Sequence, residues 1–385
     1  MQRITYLVLL LMFFSAALVG AEVPEFQGEL SSASAVLIDA ATGQVLFEKD
    51  AHVPMPPASI TKVMTMLLVM EALERGEISL QDPMITSQRA KSQGGTQLFL
   101  EMGESITVEN ALIGLAVESA NDAAVVVAEH LAGSVEGFVE LMNQRSRELG
   151  MENTNWVNST GLPEEGATGN MTTAYDVALM SRELLRHEEI TKWSTIPWDT
   201  QFLGKVYITN KNLKFLRNYP GADGLKTGWT NEAGYCVSAT AVRDGTRMIV
   251  ATMKSPTPDL RLKDVTSLLN YGFAHYKTRW FHRQEDVLAT IPVEKGQEMM
   301  VEVRPAEDVA LLIEKHEGDD LESILTLPRR VTAPLRSGQV LGKVEILRED
   351  QVLKTVDLVA ATDVEKANWF ELFGRIFRNI FGTLR

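Results

Sequence analysis

Ser59 and Lys62 stand three residues apart in the stretch Pro56-Pro57-Ala58-Ser59-Ile60-Thr61-Lys62. On a helix that spacing puts both side chains on one face, about a turn apart. A serine hydroxyl is a weak nucleophile until a base takes its proton, and a desolvated lysine amine is such a base. Two further clusters have the same flavour. Ser119-Ala120-Asn121 interrupts a long helical pattern, and Lys226-Thr227-Gly228 is expected just before a strand. Each is small enough to arise by chance. Their interest lies in the order S-x-x-K, S-x-N, K-T-G along one chain. Cleavage of a peptide bond needs a nucleophile, a proton path and an oxyanion stabiliser. No histidine lies in these segments, so Lys62 must act as the base. Burial and the nearby Lys226 cation would both lower its pKa.

Elements must hold these groups. The apolar run Val63, Met64, Met66, Leu67, Leu68, Val69, Met70 predicts a buried helix over about 60–75, closed by Gly76 and opened by prolines, whose missing N–H costs nothing there. Residues 33–49 alternate around Ala41-Thr42-Gly43 and predict a β-hairpin. Helical periodicity dominates 105–132, with further helices over 134–149, 173–186 and 259–275. Strands are expected over 205–210, 234–242 and 246–254. Two N-terminal strands, a helical middle and later strands predict an α+β fold, with helices packed on an antiparallel sheet built from both chain ends.

After about residue 281 short alternating runs appear: 284–292, 298–304, 309–313, 325–331, 340–348 and 351–360. They predict a small all-β sandwich. The expected division is a signal peptide over 1–21, a catalytic domain over 22–280, the β domain over 281–365 and a terminal helix over 366–385. Arg3, the apolar run Ile4 to Phe14 and Val19-Gly20-Ala21 carry the signal-peptide reading. Phe370, Phe373, Phe377, Ile380, Phe381 and Leu384 share one helical face, flanked by Arg375 and Arg378. That pattern predicts an amphipathic anchor lying in an anionic membrane surface.

With 385 residues, 45% hydrophobic and 23% charged, the composition is that of globular protein. A net charge of −14 argues against a general nucleic-acid binder, which needs a basic face. Cys236 is the sole cysteine, so no internal disulfide can form. The six histidines are scattered, and no metal site or cofactor is expected.

The ordered motifs, together with Gly161-Leu162-Pro163, Thr172-Thr173-Ala174-Tyr175-Asp176 and Glu232-Ala233-Gly234-Tyr235, resemble the low-molecular-mass penicillin-binding proteins that are D-alanyl-D-alanine carboxypeptidases, peptidase family S11. The resemblance is strong over about 25–275 and is one of layout beyond. It implies a penicillin-binding/β-lactamase-like domain. Ser59 would be the acylated nucleophile, Lys62 its base, and Ser119 a proton relay to the leaving amine. Asn121 would bind the substrate amide. Lys226, Thr227 and Gly228 would line the strand edge on which the peptide lies, and the backbone N–H groups of Ser59 and Trp229 would form the oxyanion hole. Lys211 and Arg261 occupy positions where the family places cations near the terminal carboxylate. The implied partners are stem peptides ending in D-Ala-D-Ala, and β-lactams as covalent inhibitors. Two departures stand out: Trp229 follows K-T-G, and Asn170 stands where many members have histidine; neither is expected to touch the acylation machinery. The rivals are a class A β-lactamase, for which no E-x-x-L-N segment is present, a DD-endopeptidase, and a wall-binding protein without activity.

Overall fold

The structure is a computed structural model that describes residues 25–163, 169–316 and 320–369. Five strands form the central antiparallel sheet: β1 (Ser34–Asp39), β2 (Val45–Lys49), β3 (Ala222–Thr230), β4 (Gly234–Arg243) and β5 (Thr246–Ser255). Their order is β2-β1-β5-β4-β3, so the N-terminal hairpin joins a C-terminal meander and β3 is an edge. β1 pairs with β5 from Ser34↔Met253 to Asp39↔Met248.

Both faces of the sheet are covered, and each has its own core. On one side α5 (Pro258–His275) sets Val265, Leu268, Leu269 and Phe273 against Leu37, Val250 and Met248. Thr257 caps that helix by accepting a hydrogen bond from Leu260 N–H, with Pro258 in its first turn. On the other side lie α1 (Thr61–Glu74), α2 (Asn121–Ala132), α3 (Val135–Glu148) and α4 (Ala174–Leu184). Every residue of α1 from Thr61 to Met70 is buried. A helix apolar on all sides can only sit in the middle of a core, and that is where Lys62 is carried.

The observed elements correct several expectations. Lys226-Thr227-Gly228 lies inside β3, not before a strand, because the register Gly228↔Cys236 continues to Thr230↔Gly234. The 105–132 stretch is not one helical run. A short strand (Ser105–Thr107), a helix (Val108–Ile113) and a wide turn (Gly114–Glu118) precede a break at Ser119, whose φ is +69°.

Beyond α5 the chain enters β6 (Tyr276–His282) with no linker. Sequence reading missed this strand, because its polar and aromatic residues follow a helix without a Gly or Pro break. Then come β7 (Ala289–Glu294), β8 (Met300–Pro305), β9 (Val309–Glu314), β10 (Leu321–Thr326), β11 (Val331–Thr332), β12 (Val340–Arg348) and β13 (Gln351–Ala360). The expected 284–292 run is displaced to β7, and 325–331 splits between β10 and β11. β10-β12-β13-β8-β7-β11 form one sheet and β6 pairs with β9 in a second, with Ile291, Val303, Val309, Val344 and Leu358 in the core between them. β6 also grips the first domain. Thr278 Oγ1 donates to Asp39 at 2.7 Å, and Thr278 N–H donates to Thr246 Oγ1 at 2.8 Å. Lys366 bridges to Gly296, and Ala367 N–H donates to Lys295 O, so the β domain holds the chain through Ala367. The expected signal peptide over 1–21 and the anchor face from Phe370 onward lie outside the described residues.

Candidate active site

Ser59 sits in a single 3₁₀ turn, Ala58–Ile60, immediately before α1, and Lys62 in the first turn of the helix. Ala58 has φ +49°, a left-handed conformation rare for a residue with a side chain. The turn is clamped from two sides. A Cβ on Gly161 would lie 1.9 Å from Ala58 O, and one on Gly228 would lie 2.7 Å from Pro57 O. Strand β3 and the loop at 158–163 can therefore approach the nucleophile this closely only as glycine.

The Lys62 amine is fully buried. It lies 3.1 Å from Ser59 Oγ and donates to Asn121 Oδ1 and Thr160 O, both at 2.6 Å. An ammonium has three N–H groups and no lone pair. A neutral amine has two N–H groups, which match the two carbonyl acceptors, and one lone pair, left for the Ser59 hydroxyl. Electrostatics favours that form. Burial first, then the Lys226 charge, hold the Lys62 pKa well below the usual lysine range, against a weaker opposing pull from Asp122.

Lys226 lies across the cleft on β3, donating to Ser119 Oγ at 2.9 Å and to Thr227 O at 2.8 Å. Burial, then Lys211 and Arg261, lower its pKa to about 7, with Glu118 opposing. The left-handed backbone at Ser119 and the start of α2 at Asn121 aim both side chains of S-x-N inward. Thus Ser59, Lys62 and Asn121 form one hydrogen-bonded group and Ser119 and Lys226 a second, and S-x-N contributes one residue to each. Both ends of the Asn121 amide are engaged here, the Nδ2 donating to Gly94 O at 2.7 Å, so it positions Lys62 in this structure. Thr227 is nearly buried and Trp229 is half exposed, 5.9 Å from the Tyr235 ring.

Two cations stand beyond these groups. Arg261, in the first turn of α5, donates to Cys236 O at 3.2 Å. Lys211 pairs with Glu118 at 2.6 Å. Both line a cavity of about 140 Å³ floored by Phe215, Val237 and Leu262.

Several contributors were invisible in the sequence. Thr160 acts through a backbone carbonyl, which every residue type has. Asp122 accepts N–H groups from Leu98, Leu100 and Ala123, pinning the 98–100 loop beside the cleft. Its signal was a carboxylate placed directly after S-x-N, in a helix that buries it. Asn170 is closer to the machinery than expected. Its Nδ2 donates to Thr61 Oγ1 at 2.9 Å, and its Oδ1 accepts from Val157 and Asn158 N–H, holding the loop that offers Thr160 O. Among the described residues no group of acidic, histidine and cysteine side chains could hold a metal.

A buried serine–lysine pair with a second serine–lysine pair opposite, on an antiparallel sheet flanked by helices, defines a penicillin-binding-like serine acyl-transfer enzyme. Residues 20–257 match the D-alanyl-D-alanine carboxypeptidase family, peptidase S11, and residues 276–366 match the C-terminal domain of penicillin-binding protein 5. The chain belongs to the S11 D-alanyl-D-alanine carboxypeptidase family. It is 39% identical over 346 residues to the D-alanyl-D-alanine carboxypeptidase DacF of Bacillus subtilis (strain 168), covering 89% of this chain and 88% of that one. The crystal structure of penicillin-binding protein 5 from Haemophilus influenzae superposes with a TM-score of 0.69 at 28% identity, covering 88% of this chain and 99% of that one. Penicillin-binding protein D2 of Listeria monocytogenes, solved in an ampicillin-bound form, matches at 32% identity and TM-score 0.58, over 63% of this chain and 98% of its own.

Proposed function

We propose that this carboxypeptidase removes the terminal D-alanine of peptidoglycan stem pentapeptides through an acyl-enzyme on Ser59. The observation that carries this reading is the surroundings of the Lys62 amine: two carbonyl acceptors for two N–H groups, and the Ser59 hydroxyl facing what remains. Ser59 Oγ attacks the carbonyl carbon of the penultimate D-alanine while its proton passes to Lys62. Backbone N–H groups of Ser59 and Trp229 hold the oxyanion. The tetrahedral adduct collapses by breaking the C–N bond, and Ser119, in contact with Lys226, relays the proton held by Lys62 to the departing amine, which leaves both groups in their starting states. Water then attacks the ester and frees Ser59. The peptide lies along the open edge of β3 as an added strand, beside Lys226, Thr227 and Gly228. Arg261 meets the terminal carboxylate. Penicillins acylate the same serine. The ampicillin-bound Listeria relative supports this by likeness.

The chain is exported, and residues 368–385 hold it on an anionic membrane surface with the active site facing the wall. The support is the apolar and basic pattern of those residues. Among the described residues no helix is long and apolar enough to cross a membrane.

Mass spectrometry of products from a pentapeptide ending in D-Ala-D-Ala and from a cross-linked dimer tests the substrate. Loss of one alanine from the pentapeptide, faster than dimer cleavage, is expected. Faster dimer cleavage would make the protein an endopeptidase.

A further inference from the structure

Lys211 and Arg261 line the same small cavity but differ in what they already hold. Arg261 donates to a neutral carbonyl, Cys236 O, and no carboxylate among the described residues is paired with it. Lys211 is paired at 2.6 Å with Glu118 Oε1. Glu118 is itself fixed. Its side chain is only 13% exposed, and its Oε2 accepts the N–H of Thr209 at 3.1 Å. It immediately precedes Ser119, at the end of the wide Gly114–Glu118 turn. Glu118 is not part of the cavity wall, but it already holds Lys211, while the third cation lining the cavity, Lys214, is paired with Asp259. An anion that enters the cavity must therefore compete with a fixed, mostly buried carboxylate for Lys211.

We propose that Glu118 is a specificity-determining positioning residue. It keeps Lys211 occupied and so weakens the site's preference for a substrate with a free terminal carboxylate, leaving Arg261 as the cation that reads the chain end. This rests on the Ser59 site reading above. Its consequence is a site more tolerant of substrates whose D-alanyl-D-alanine end is masked, the feature that separates chain-end trimming from cross-link cleavage.

The test uses the full chain and two acetylated tripeptides, one ending in D-Ala-D-Ala as free acid and the other as its C-terminal amide. The quantity read is the ratio of KM for the amide to KM for the acid. Glu118→Gln keeps an oxygen for Thr209 N–H but releases Lys211, so the ratio should rise about threefold to tenfold. Glu118→Gln combined with Lys211→Met should lose that rise. Lys211→Arg gives an independent reading with Glu118 in place. The guanidinium has N–H groups to spare after pairing with Glu118, so the ratio should rise again. A merely structural role would move both KM values together. An unchanged or lower ratio in Glu118→Gln and Lys211→Arg, or a rise that survives without Lys211, would overturn the proposal. Wild-type protein that turned over neither tripeptide would overturn the Ser59 reading as well, so the two failures are told apart.

Discussion

Around the Lys62 amine are two carbonyl oxygens, one hydroxyl and, through the Coulomb field, a second buried lysine. Either form satisfies these contacts, the ammonium by donating a third N–H to Ser59 Oγ, but protonated it carries an unhydrated charge in the field of Lys226. The sign of the pH dependence follows. Below the lowered pKa the amine holds a proton and cannot accept another from Ser59, so acylation is slow; as pH rises the neutral fraction and the rate grow. The apparent pKa belongs to the coupled Lys62–Lys226 pair. It should fall well below the value near 10.4 of free lysine. Stopped-flow acylation by a chromogenic cephalosporin measures it, and a rate that stays flat from about pH 6 to about pH 10 would contradict a lysine base. Ser59, Lys62, Ser119 and Lys226 could be read from the sequence because hydroxyl and amine at set spacings imply a chemistry. Thr160 could not, because its contribution is a carbonyl. Asn170 works at one remove from these groups by holding the loop that offers Thr160 O, which spacing does not reveal.

The elements deliver these groups through close approaches of backbone. Helix α1 is tied to the 158–161 loop twice, by Thr65 Oγ1 donating to Ser159 O and by Lys62 to Thr160 O. Gly161, at φ +82°, lets that loop close over the nucleophile turn. Gly161→Ala should therefore do two kinds of damage. The left-handed backbone alone costs about 1–3 kcal/mol with a side chain. The contact with Ala58 O adds to that and pushes Thr160 O away from Lys62. Gly76→Ala is the natural comparison, since Gly76 has φ +69° with nothing within 4 Å. Urea unfolding should show Gly161→Ala the more destabilised, and only that variant should acylate slowly. Equal losses in both would mean the close approach has no consequence. At this scale the buried helix and the N-terminal hairpin were legible, since a run apolar on every side allows one placement and two apolar runs about Ala41-Thr42-Gly43 suggest a hairpin, although β1 is buried throughout and does not alternate. The interruption at Ser119-Ala120-Asn121 was legible too, but its left-handed backbone and the short strand at Ser105–Thr107 were not, since spacing alone does not fix φ.

On the scale of the whole chain, β6 belongs to both parts. It pairs with β9 in the β domain and hydrogen-bonds to Asp39 and Thr246 in the catalytic one. That ties the β domain to the catalytic one through side-chain and backbone hydrogen bonds at the start of β6. Alternation in the sequence revealed most of that domain's strands, though not β6 and not the exact bounds of β7, β10 and β11, and it did not reveal their pairing, because short strands of similar pattern leave the order of a sheet open. Val364 and Ala367 are buried in its core, so the informative truncation is after Asn368. Full-length mature protein should pellet with anionic liposomes and the truncated form should stay soluble and active; equal pelleting would refute the anchor. The decisive measurement is mass mapping of the full chain after reaction with penicillin, for wild type, Ser59→Ala and Lys62→Ala. One adduct on the peptide containing Ser59 is expected in wild type, none in Ser59→Ala, and no acylation in a folded Lys62→Ala. An adduct persisting in Ser59→Ala, or mapping to another serine such as Ser119, would contradict acylation at Ser59.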